Sequence, residues 1–153
     1  MIDSRFTSGR IVEEESNVQV VRRAFEALSR RDVQTLLALS SPEVEFFAPA
    51  TAALTRQGRS YRGHEGIFRY MRDVGRVWEQ LEIVAHDFTQ RDAHHVVVTG
   101  RLRARGLGGY IMDEGVCWLV EVRGGKLRSS RPIEPPVRLA QQPVGGRRAD
   151  QSG

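Results

Sequence analysis

Apolar residues recur at helical spacing at Val18, Val21, Phe25 and Leu28, which predicts a first helix capped by Ser16 or Asn17. Ser29-Arg30-Arg31-Asp32 interrupts it, and Val33, Leu36, Leu37 and Leu39 predict a second, short helix ended by Pro42. Val44-Glu45-Phe46-Phe47 reads as a strand, and residues 48–62 as a loop of Ala, Thr, Gly and Arg. Gly63-His64-Glu65-Gly66 leads into a third helix with Ile67, Tyr70, Met71, Val74 and Trp78 on one face. The period then falls to two, and strands are predicted over 81–90, 94–105, 110–123 and 126–133. Helices first and a run of antiparallel strands afterwards make an α+β pattern.

The run from Tyr110 to Leu127 carries the most information. It reads as a long strand, a tight Arg123-Gly124-Gly125-Lys126 turn and the start of a return strand. Its alternate residues are Met112, Glu114, Val116, Trp118, Val120 and Val122. That face should point inward, and Glu114 is its one carboxylate. Such a group either lines a cavity or sits at a rim in an ion pair.

A chain of 153 residues with 40% hydrophobic and 27% charged residues is expected to be one soluble domain. Residues 1–15 should form a flexible N-terminus, 16–133 the domain, and 134–153 a disordered tail. No apolar run has the length of a membrane span and the N-terminus lacks a secretory core, so a cytoplasmic protein away from membranes is expected. One cysteine, Cys117, excludes an internal disulfide. The net charge of +4 is carried by scattered arginines, with Lys126 the sole lysine; no nucleic-acid partner is expected. No Cys/His spacing suggests a metal, and His94 and His95, being adjacent on a strand, point to opposite faces.

Four segments together resemble a known family: Val21 to Leu28 followed by Asp32; Pro42-Glu43-Val44-Glu45-Phe46; Tyr61-Arg62-Gly63-His64-Glu65-Gly66-Ile67; and Gly125-Lys126-Leu127. In order and spacing they are similar to the nuclear transport factor two-like superfamily, in its SnoaL-like, polyketide cyclase-like branch. The resemblance implies a cone-shaped, curved antiparallel sheet with three N-terminal helices packed on its concave face. It also implies a homodimer through the outer face of the sheet. The superfamily holds isomerases, dehydratases, cyclases, epoxide hydrolases and binding modules, so fold leaves function open.

Carried over residue by residue, the resemblance removes several chemistries. The tyrosine of the ketosteroid isomerase branch falls at Ala24, its general base at Phe46 and its proton donor near Trp118. The aspartate that polyketide cyclases and limonene epoxide hydrolases place after the Gly-Lys or Gly-Arg turn falls at Pro132. What remains is a pocket protein for a small, mainly apolar molecule, without cofactor or metal. Glu114 and His86 are the acid/base candidates for a lyase, isomerase or hydrolase. His86 is expected inward with Val84 and Phe88. Arg128, Ser130 and Pro132 are expected inward on the last strand, with Arg128 and Ser130 orienting a ligand. Phe46, Met71 and Trp118 would form the wall. The alternative is a non-catalytic binding or dimeric scaffold module.

Overall fold

The computed structural model describes residues 17–55 and 60–134. The expected flexible N-terminus, Ser16 and all but Glu134 of the expected tail lie outside the described residues. The first helix, α1, runs over 17–30, and Val20, Val21, Ala24 and Ala27 bury its inner stripe. Asn17 is itself helical, and its side-chain amide donates to Ala93 O at 2.9 Å, tying α1 to a distant loop. Arg31 adopts a left-handed φ of 59° between helices. Asp32 then caps α2 (Val33–Leu39) by accepting from Thr35 N at 3.2 Å.

Strand β1 (Ser40–Phe46) follows without a break. The segment expected to be loop carries a further helix, α3 (Pro49–Thr55), and a two-residue strand, β2 (Tyr61–Arg62). The described residues thus form four helices, not three. Pro49 at the first helical position was the available signal; seven residues of Pro, Ala, Leu and Thr show no amphipathic period. The Arg-Gly-His-Glu-Gly-Ile segment opens α4 (Gly63–Val77). Gly63 turns the chain at φ 70°, and a Cβ at Gly66 would sit 3.0 Å from the Tyr61 backbone, so both glycines answer to geometry.

Strands β3 (Trp78–Gln90), β4 (His95–Gly106), β5 (Ile111–Arg123) and β6 (Lys126–Ile133) form an antiparallel meander. Gly124 and Gly125, at φ 58° and 77°, make the tight β5–β6 turn. The six-stranded sheet is open and curved, with order β2-β1-β6-β5-β4-β3. It is not wholly antiparallel, because β1 lies parallel to β6. The inner face of β4 and β5, through Val96, Val98, Trp118, Val120 and Val122, packs on α1, α2 and α4. On the outer face, Arg101 pairs with Asp113 at 2.7 Å, and Arg103 reaches both Glu82 and Asp113. No helix among the described residues is long and apolar enough to cross a membrane.

Two bulges decide which residues face inward. Ala85 pairs with Gly100 but Asp87 with Thr99, so His86 is an extra residue on β3. Val122 pairs with Leu127 but Glu121 with Ser129, so Arg128 is an extra residue on β6. Gly100 admits the first bulge, since a Cβ there would lie 2.1 Å from Val84 O.

Candidate functional site

Helices and sheet do not close fully on one another. They leave a cavity of about 480 Å3, far above the volume of a single water. Strand β5 supplies its long wall through Met112, Glu114, Val116, Trp118 and Val120. Ala24 and Phe25 come from α1, Ile67 and Tyr70 from α4, and α3 adds Thr51. Leu127, Ser130 and Pro132 come from β6.

Aromatic packing fixes the wall. Phe46 stacks on Tyr61 at 5.3 Å between ring centres, and Tyr70 meets Phe46 edge-on at the same distance. Phe25 meets Trp118 edge-on at 5.1 Å. Two buried polar tips beside this cluster are satisfied inside the protein. Trp78 Nε1 donates to Thr51 Oγ1 at 2.9 Å, and the Tyr61 hydroxyl donates to Asp73 Oδ2 at 2.8 Å. Burial pushes the Tyr70 hydroxyl up to about 12. Burial, with the Asp73 carboxylate beside it, also pushes Tyr61 far above the usual range. These tyrosines therefore stay neutral around neutral pH. Asp73 was legible only as a polar residue on the Ile67–Tyr70–Val74 stripe.

The lining has a single charged side chain among the described residues, Glu114. It is exposed at the edge of the cavity, opposite Leu102 and between Met112 and Val116 on its own face. No ion pair or side-chain hydrogen bond engages it among the described residues.

The profile of the SnoaL-like domain matches residues 21–130, more than two thirds of the chain. The chain belongs to the SnoaL-like family. It is 27% identical over 115 residues to an uncharacterized protein of Mycobacterium tuberculosis, covering 74% of this chain and 85% of that one. Among solved structures it resembles an NTF2-like protein of unknown function from Burkholderia pseudomallei. That match has a TM-score of 0.68 at 20% identity and covers 85% of this chain and 98% of the other. It equally resembles TerC, crystallised with polyporic acid, with a TM-score of 0.68 at 21% identity and coverage of 82% and 96%. Identities this low speak for the fold alone.

Within this SnoaL-like domain the seven residues singled out from sequence do not all meet. Glu114, Phe46, Trp118 and Ser130 line the cavity. His86 does not; the β3 bulge leaves it exposed, and Leu81 and Ile83, not Val84, line the wall from that strand. Phe88 does pack inward, because the extra residue restores its parity. Arg128 also stands off the lining. As the extra residue of the β6 bulge it is exposed and pairs with Glu43 at 3.3 Å. Met71 packs behind the wall, against both apolar clusters.

A second, polar cleft of about 440 Å3 includes Glu43, Glu45, Arg62, Glu121 and Arg128. Its charges are matched internally: Arg62 with Glu45 at 3.3 Å, Arg128 with Glu43, and Glu121 with Arg123. Among the described residues no three His, Cys, Asp or Glu side chains group as metal ligands.

Proposed function

We propose that this SnoaL-like protein binds a small, mainly apolar molecule in the cavity between its helices and sheet. The observation that carries this reading is the wall itself. Ala24, Phe46, Trp118 and Pro132, where the family resemblance would put the catalytic groups of three branches, all line the cavity. Each is apolar, so the positions that do chemistry in those branches here add contact surface. An open cavity of about 480 Å3 favours ligand binding over a filled scaffold. That TerC was crystallised with polyporic acid supports a fold suited to such guests.

A catalytic variant of this reading rests on Glu114 alone, the one lining carboxylate within reach of a guest. A pair formed by Glu114 and His86 has no support from the position of His86. The neutral probe 2-(1-naphthyl)ethanol tests the binding reading. At ten times its Kd it should raise the thermal midpoint by about 3–5 °C. A midpoint unmoved up to the probe's solubility would refute the reading.

The homodimer through the outer sheet face belongs to the same proposal. Val97 and Leu119, cross-strand partners on that face, are only partly buried in the single chain, and an isologous contact would cover them.

A further inference from the structure

Strand alternation sorts the charges of the long hairpin onto two faces. Asp113 points outward into Arg101 and Arg103 and is matched there. Its neighbour Glu114 points the other way, onto a face whose lining contains no arginine, lysine or histidine among the described residues. Met112, Val116 and the facing Leu102 surround it and can give its carboxylate no donor. Elsewhere on the sheet, Glu45, Glu82 and Glu121 each have an arginine, whereas the exposed Glu79, which does not line the cavity, has none among the described residues. Glu114 is thus a carboxylate at the edge of an apolar cavity, with no counter-ion among the described residues.

We propose that the guest supplies the counter-ion: the cavity selects an apolar skeleton bearing a cationic amine, with the amine at Glu114 and the skeleton against Trp118 and Phe46. The inference rests on the binding reading above and names its ligand class. An ammonium group at this edge can keep part of its hydration while it pairs with the carboxylate, so the desolvation cost stays small. A carboxylate-bearing guest would meet like charge with no cation among the described lining residues to offset it.

The test compares three probes on one skeleton, 2-(1-naphthyl)ethylamine, 2-(1-naphthyl)ethanol and 1-naphthaleneacetate, by calorimetric titration at neutral pH and low salt. The expected order is amine, alcohol, carboxylate. A gain of about fivefold for amine over alcohol is the worth of a partly exposed ion pair. Glu114→Gln should remove the amine's advantage and leave the alcohol's Kd within about twofold. Asp113→Asn deletes the same charge from the other face and should leave the order intact, which separates a local pair from the general field of the protein. Equal binding of amine and alcohol, or an amine preference that survives Glu114→Gln, overturns the inference and leaves the cavity reading standing. No binding of any probe by folded protein overturns both.

Discussion

Tyr61 and Tyr70 turn the wall of the cavity into a source of pH dependence. Both hydroxyls are held in the neutral form by burial, Tyr70 at about 12 against an ordinary 10.0. Burial also raises the Cys117 thiol. A folded-state value raised above the unfolded one means that the stabilisation is complete below the unfolded value. It is lost as pH climbs through the interval towards the folded one. The urea midpoint should therefore fall between about pH 9 and 12, and Tyr70→Phe should fall less steeply. With Lys126 the only lysine, few other groups titrate there. A midpoint flat across that interval would contradict the account. At this same scale the sequence was informative where alternation is unbroken. It placed Glu114 and Trp118 on the face that lines the cavity, because β5 keeps its parity from Met112 to Val120. It misplaced His86 and Arg128, because one extra residue in a strand reverses the facing, and nothing in their local pattern announces it.

At the scale of elements, the β3 bulge and the glycine opposite it form one unit. Gly100→Ala would drive a Cβ to 2.1 Å from Val84 O, a contact that only backbone movement relieves. Its expected cost is about 2–3 kcal/mol or more in urea unfolding. Gly75 in α4 gives the opposite case. A Cβ there meets nothing within 4 Å, so Gly75→Ala should stabilise by about 0.5–1 kcal/mol. Equal effects of the two substitutions would mean that the bulge is not held by Gly100. The strands and the amphipathic helices α1, α2 and α4 were legible from their periods, since each buries one stripe or one face. Helix α3 and strand β2 were not. Helix α3 is as long as α2 but lacks its apolar stripe, burying Thr51 and Ala52 where α2 buries Leu36 and Leu39, and the two residues of β2 are too few to show a period.

At the scale of the molecule, the helices meet the sheet along α1, α2 and α4 and stay apart where Phe46, Trp118 and Pro132 leave room. Order and spacing of motifs carried the fold, because the Arg-Gly-His-Glu-Gly-Ile turn serves backbone geometry. They could not carry the volume of the cavity, which depends on how side chains from nine helices and strands settle around it. The proposed dimer leads to a sedimentation test: a species of twice the 17.2 kDa chain mass, against a chain-mass species at all concentrations if the outer face is free. The central claim is that an apolar guest occupies the cavity. Titration with the neutral dye N-phenyl-1-naphthylamine, whose emission rises in apolar surroundings, tests it most directly. Saturable binding of one dye per chain is expected, with Kd below about 100 µM, and it should be lost in a folded Val116→Trp variant that fills the cavity. Dye that binds without saturation, or as well to Val116→Trp as to the natural chain, would contradict it.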